Sequence, residues 1–214
     1  MKVGVLGSGI VGQTLAAGFL QHGYETMIGT RETAKLADWQ AANPQARLGS
    51  SSETAAFGDV VVLAVKGSAS ANALRAAGAA NLRGKIVIDA TNPIADDAPP
   101  VNGVLPFFTQ MNDSLMEQLQ REFPEAHFVK AFNSVGSPYF VNPQLPGGKP
   151  TMFICGNNDA AKKTVTEILD RFGWETADMG MVEASRAIEA LCMLWCIPGF
   201  LRNEWTHAFK LLRQ

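Results

Sequence analysis

The sequence predicts an α/β protein: a Rossmann-type doubly wound parallel sheet with a small C-terminal α/β domain. Three observations lead there. Gly7-Ser8-Gly9-Ile10-Val11-Gly12 follows a short apolar run and opens a helical pattern. Continuous apolar runs near 59–65, 85–89 and 127–132 alternate with helix-like stretches, as strands covered on both faces of a parallel sheet do. Residues 135–150 carry Pro138, Pro143, Pro146, Gly147, Gly148 and Pro150, the composition of a connector. A boundary near Ser137 divides the chain into domains 1–136 and 137–214.

The first thirty residues read strand, glycine-rich turn, helix, strand. Gly7 permits the tight turn, Gly9 lets backbone approach a pyrophosphate, and Gly12 lets the helix pack closely on the strand. The helix start offers free N–H groups and the positive end of its dipole to the anion. A glycine fingerprint in this context predicts a bound dinucleotide. The end of the second strand chooses between cofactors. NAD sites commonly place Asp or Glu there; this chain has Thr30-Arg31. Arginine can stack and make forked hydrogen bonds to a 2′-phosphate, and the threonine hydroxyl can add another. Lys35, one helical turn on, adds charge. NADP is therefore expected over NAD, although Glu32 leaves room for the latter.

Further along, helices are expected over residues 10–22, 32–42 (stopping before Asn43-Pro44), 51–57 and 70–80, with a short strand at 46–48. The strand at 59–65 leads into Lys66-Gly67-Ser68, and the strand at 85–89 into Ala90-Thr91-Asn92-Pro93. The carboxyl ends of such strands face the ligand crevice. Ala64, Val65 and Lys66 should lie near the cofactor, with Lys66 either reaching a phosphate or standing in an exposed loop. Asn92-Pro93 can present an amide near the nicotinamide, or simply form a turn. Residues 94–111 form a long surface loop, of the kind that serves as a lid. A helix over 112–122 precedes a sixth strand, 127–132, ending at Asn133-Ser134. The second domain should hold strands at 151–155 and 174–177, a helix at 160–172, and a helical stretch over 183–212 interrupted at Pro198-Gly199.

The totals exclude several classes. A net charge of −2 over 214 residues gives no sign of a nucleic-acid or membrane-surface partner. Cys155, Cys192 and Cys196, an odd number in apolar company, suggest reduced thiols and a cytoplasmic location. With a first strand expected at Lys2, no targeting segment is expected. The longest strongly apolar run, 190–197, falls short of the ~20 residues of a membrane span. Cys192 and Cys196 lie one helical turn apart, but no further ligands accompany them, so no metal site is expected. His22, His127 and His207 fall away from the strand ends, and no carboxylate pair is evident.

The missing acid–base cluster is informative. Hydride transfer between a nicotinamide and a flavin-like ring needs two rings stacked at close range and no strong acid or base. Two other readings stay open. One is a protein that binds NADP without turnover. The other is a dehydrogenase of a small carbon substrate, for which Lys66, Lys130 and Asp89 are the only candidate acids near strand ends.

Several motifs together resemble the F420-dependent NADP reductases and the related cytosolic reductase domain of the STEAP metalloreductases. They are the loop from Gly7 to Gly12, Ile28-Gly29-Thr30-Arg31, Val129-Lys130-Ala131-Phe132-Asn133, Phe153-Ile154-Cys155-Gly156-Asn157-Asn158 and Ser185-Arg186-Ala187-Ile188-Glu189-Ala190-Leu191. The resemblance spans nearly the whole chain. It implies NADP(H) with its 2′-phosphate on Thr30-Arg31, and a nicotinamide in a cleft between the two domains. An F420, FMN or FAD acceptor would stack there, and a homodimer would form. It puts the cofactor contacts at Ser8, Gly9, Ile10, Val11, Thr30, Arg31, Ala64, Val65 and Asn133 with neighbouring Ala131, then at Asn92 and Pro93. The acidic tail of F420 would call for local positive charge, for which Arg186, Arg202, Lys210 and Arg213 are the candidates. No haem-bearing membrane segment of the STEAP kind is expected.

Overall fold

The computed structural model describes residues 1–213. Six parallel strands form one sheet in the order β3-β2-β1-β4-β5-β6. They are β1 (Lys2–Leu6), β2 (Glu25–Gly29), β3 (Arg47–Gly49), β4 (Val60–Leu63), β5 (Ile86–Asp89) and β6 (His127–Lys130). The chain goes from β1 to β2 on one side and returns to β4 on the other, so the order reverses between β1 and β4. In a doubly wound sheet the ligand crevice opens at that reversal. The four residues of β4 are all buried, which is why its pattern shows no alternation.

The helices of this half are α1 (Ile10–Gln21), α2 (Ala37–Ala42), α3 (Ser51–Phe57), α4 (Ser70–Ala77), α5 (Ala79–Leu82) and α6 (Leu115–Glu122). Three differ from expectation. The helix expected over 32–42 starts as a 3-10 turn at Thr33–Leu36 before becoming α2. The helix expected over 70–80 breaks at Gly78, whose φ of 87° has no place in a right-handed helix. The helix expected over 112–122 begins only at Leu115, because Ser114 and Glu117 close a reciprocal capping box. Ser50 and Glu53 do the same for α3. The loop 94–111 is pinned by antiparallel bridges Ile94 with Phe107 and Val101 with Val104.

Beyond the connector, β7 (Thr151–Ile154) and β8 (Glu175–Asp178) pair in parallel around α7 (Asp159–Arg171). An antiparallel bridge between Lys130 and Cys155 attaches this pair to β6. One apolar cluster runs from Val3, Phe19 and Ile28 through Phe132 to Met152, Ile168, Phe172 and Trp174.

The last helix, α8 (Ser185–Arg202), corrects the reading of a helical stretch broken at Pro198. Proline removes one N–H, leaving the Leu194 carbonyl without its helical donor. The helix stops at Asn203, in the left-handed conformation at φ 56°. Residues 203–213 are then non-helical, correcting the expectation to 212. They fold back so that Thr151 N–H donates to Phe209 O at 2.8 Å and Trp195 Nε1 to His207 O at 2.8 Å. His207 thus lies in this returning segment. Because α8 is continuous, Val182–Arg202 is long and apolar enough by length and composition to cross a membrane, with mean hydropathy 1.3. The run estimated from sequence was too short for that.

Candidate active site at the carboxyl ends of β1, β4 and β5

Two adjoining clefts open at the crevice and share Val65. The first, about 300 Å³, is lined by Gly7, Ser8, Thr30, Arg31, Ser51 and Asn72, among others. The second, about 450 Å³, is lined by residues 9–11, 64–67 and 90–92 with Ile94 and Asp96. The glycine loop contributes to both.

The three fingerprint glycines do different work. Gly7 has φ 130°, and a Cβ there would lie 2.2 Å from Ala64 O. A Cβ on Gly12 would lie 2.0 Å from Gly7 O. Both are required by the protein's own packing. A Cβ on Gly9 would meet nothing within 4 Å, so its smallness leaves open space at the cleft. Gly9 is also the N-cap of α1, with no side-chain cap. The N–H groups of the first turn thus keep their donor capacity for an anion. Gln13 Nε2 donates to Ser8 O at 2.8 Å and holds the loop in place.

At the end of β2, the Thr30 hydroxyl accepts from Glu32 N–H at 3.1 Å and lies 3.3 Å from Ser8 Oγ. Arg31 is exposed at the first cleft and has no ion-pair partner among the described residues. Lys35 is bound to Glu32 at 3.0 Å and does not line the cleft. Both side chains of that pair are exposed, so it is weak.

The inner end of the second cleft rests on a buried polar network. Asn92 Nδ2 donates to Asn133 O at 2.8 Å, and Asn133 Nδ2 donates to Asn92 Oδ1 at 3.1 Å and to Ile188 O at 2.8 Å. Asn133 Oδ1 is buried without a partner. Preceding it, Phe132 is held at φ 64°, rare for a bulky residue and costly unless its surroundings enforce it. Its ring packs against Phe140 and Phe172, and its N–H meets Met152 Sδ at 3.2 Å. Beneath this layer, Lys130 Nζ sits 2.7 Å from Asp89 Oδ2 and 2.9 Å from Glu189 Oε1, and donates to Thr91 O at 3.0 Å. Lys130 and Asp89 are completely buried. Burial alone would favour neutral lysine, but the two carboxylates prevail and raise its pKa above the ordinary value. Lys130 is therefore a fixed cation and no proton donor, and Asp89 is committed to it. A carboxylate pair thus does exist, contrary to the sequence reading, but it grips a lysine.

The profile described as NADP oxidoreductase, coenzyme F420-dependent, matches residues 2–93. The crystal structure of a candidate F420-dependent NADP reductase from Arthrobacter sp. FB24 is 36% identical, covers 100% of both chains and superposes with a TM-score of 0.93. The chain belongs to this family of F420-dependent NADP reductases. As such it is an NADP-dependent oxidoreductase. Metalloreductase STEAP3 of Rattus norvegicus is 28% identical over 204 residues, 94% of this chain; the chain spans only 39% of that protein's length. A hypothetical protein from Sinorhizobium meliloti, SMa0349, shares the fold at 23% identity, with a TM-score of 0.77 over 100% of this chain and 96% of that one.

In this reductase fold the crevice brings together residues 7–11, Thr30, Arg31, 64–66 and Asn92 from the sequence-derived set. Gly12 lies behind the loop. Pro93 is buried, and its carbonyl accepts from Phe108 N–H at 2.9 Å. Ala131 is buried, and its N–H donates to Asp89 O at 3.1 Å. Asn133 stands beside Asn92. Lys66 lines the second cleft and is exposed, with its Nζ 2.8 Å from Asp96 Oδ1. Ser51, Ala69, Asn72, Ala73, Ala76, Ile94 and Asp96 also line the clefts and were not foreseen. They come from the start of α3, the turn before α4, the body of α4 and the long loop, where no motif marks them. Of the four expected basic groups, Arg186 pairs with Glu117, Arg202 with Glu204 and Lys210 with Glu175, while Arg213 makes no ion pair among the described residues. Burial pushes the Cys155 thiol up to about 12, the behaviour of an unreactive packed cysteine. An uncapped helix start, open space at Gly9, a free Arg31 and an unpartnered amide oxygen on Asn133 fit a phosphorylated dinucleotide ending in a carboxamide.

Proposed function

We propose that this chain transfers hydride between NADP(H) and a flavin or deazaflavin acceptor of the F420 kind. The observation that carries the reading is the unpaired Arg31 at one end of a crevice whose other end offers no free acid or base. When bound, NADPH supplies the hydride from its nicotinamide. The chain's part is to bind and orient. The α1 N-terminus and residues 7–11 hold the pyrophosphate, and Arg31 with Thr30 receives the 2′-phosphate. Asn133 Oδ1 accepts from the carboxamide, and Asn92 keeps Asn133 in place. Ile10, Val11, Val65 and Ile94 shield the reacting faces from water.

This reading takes residues 1–136 as the NADP-binding domain and 137–214 as the part that completes the acceptor side. Exposed Leu194, Phe200 and Leu201 on α8 support a homodimer, and three free cysteines support a reducing, cytoplasmic location. The test is anaerobic mixing of NADPH with FMN, FAD and F420 in turn. Saturable loss of NADPH absorbance with one of them is expected. Tight NADPH binding with no loss in any mixture would overturn the reading.

A further inference from the structure

Cys192 and Cys196 have no part in the hydride transfer proposed above, yet they are placed as a pair. They stand one turn apart in α8, on the face that also carries Ser185 and Glu189. Neither is in a disulfide; Cys192 is buried and Cys196 half-buried, and the two thiols share a hydrogen bond. The helix decides what such a pair can do. Because α8 runs unbroken from Ser185 to Arg202, the two Cβ atoms keep the spacing of ~5–6 Å found four residues apart on a helix. A disulfide needs Cβ atoms roughly 3.5–4.5 Å apart, so no S–S bond can form while that turn is intact. One metal ion held by two thiolates at ~2.3 Å each sets the sulfurs up to ~4.6 Å apart, which the intact turn can span. Zinc asks for four ligands in a closed site. Among the described residues no group of three or more His, Cys, Asp or Glu side chains is placed to hold a metal ion. A soft monovalent ion such as copper(I) favours thiolates and is satisfied by two of them in line.

We infer that Cys192 and Cys196 form a two-coordinate thiolate site for a soft monovalent metal ion of the copper(I) class. Half-buried Cys196 gives the ion its way in, and buried Cys192 closes the inner side. Neither cysteine lines either cleft of the crevice, so the site stands apart from NADP(H) and does not depend on the hydride-transfer reading. At 100° per residue the pair also faces away from Leu194 and Leu201, the residues proposed for a dimer contact. Binding forms two metal–sulfur bonds and releases the two thiol protons. The ion stays monovalent and no electron moves. Affinity therefore rises with pH.

The experiment titrates the full chain anaerobically with copper(I) against a chromogenic copper(I) chelator, with sedimentation run in parallel. One ion per chain should bind, and ultraviolet thiolate-to-copper absorbance should rise with the same stoichiometry. Cys196→Ser, at the half-buried position, should keep the circular dichroism of the wild type and weaken copper(I) by more than roughly 100-fold, beyond the cost of a change outside the ligand shell. A second readout needs no substitution. Copper(I) should protect Cys196 from alkylation by N-ethylmaleimide, read by mass spectrometry, and zinc at the same concentration should not. Wild-type affinity in Cys196→Ser, or alkylation of Cys196 that copper(I) leaves unslowed, would overturn the inference. So would zinc bound as tightly as copper(I), or copper(I) bound only by joining two chains.

Discussion

Lys130 Nζ lies 2.9 Å from Glu189 Oε1, joining the last residue of β6 to the second turn of α8 where both side chains are buried. Glu189 also accepts the N–H groups of Leu115 and Met116 at 3.0 Å each, at the start of α6. Asp89, on the far side of the lysine, accepts from Thr91 N–H at 2.9 Å and from its hydroxyl at 2.6 Å. One buried cation therefore sets the turn that carries Asn92 and the helix whose Ile188 carbonyl holds Asn133.

Removing that cation leaves two buried carboxylates facing each other. Lys130→Met should destabilise the protein by about 3–5 kcal/mol, the cost of breaking a buried ion pair from one side. Urea unfolding followed by circular dichroism measures it. A loss below about 1 kcal/mol would mean that the carboxylates are relieved by water or protonation.

Glu117 gives a prediction in pH. Burial raises its pKa, but hydrogen bonds from Arg186 and from the Ser114 N–H and hydroxyl outweigh burial and bring it to about 2, below the ordinary 4.5. A depressed folded-state pKa stabilises the protein above the unfolded value and ceases to do so as pH falls through the folded one. Wild type should exceed Glu117→Gln by about 3 kcal/mol at neutral pH, the order set by the pKa difference. The gap should shrink below about pH 5 and close near the folded pKa. A gap independent of pH would show that packing, and not ionisation, sets the difference.

The glycines of the loop should separate folding from binding. Gly12→Ala places a methyl 2.0 Å from Gly7 O and should lower the melting temperature sharply. Gly9→Ala meets only open space and should melt within a few degrees of wild type while losing most of its affinity for NADPH by calorimetry. Wild-type affinity in folded Gly9→Ala would place the pyrophosphate elsewhere.

Arg31→Ala should weaken NADPH binding roughly 10- to 100-fold, the range for a charge-assisted contact, with little change for NADH. Equal losses for both would remove the 2′-phosphate from Arg31.

A homodimer through α8 would bury Leu194 and Leu201, which are 55% and 53% exposed in one chain. Leu194→Asp with Leu201→Asp should then give a monomer by sedimentation at micromolar concentration. Unchanged sedimentation would place any dimer contact elsewhere.

By itself the sequence determined the sheet-forming strands, the glycine turn and the cation at the end of β2. All of these are local: apolar runs, a fixed glycine spacing and a residue next to its strand. It missed the capping box at Ser114 although the Ser-x-x-Glu pattern was present, and it broke α8 at a proline that the helix runs through. Tertiary structure alone decided the rest. Asp89, Lys130 and Glu189 are scattered over a hundred residues, and only the packing of β5, β6 and α8 turns three ordinary charges into one buried network. Packing likewise paired Lys66 with Asp96, Arg186 with Glu117 and Lys210 with Glu175, leaving Arg31 as the free charge of the crevice. Whether a charge is free depends on which opposite charge the fold brings within reach, and no spacing along the chain encodes that.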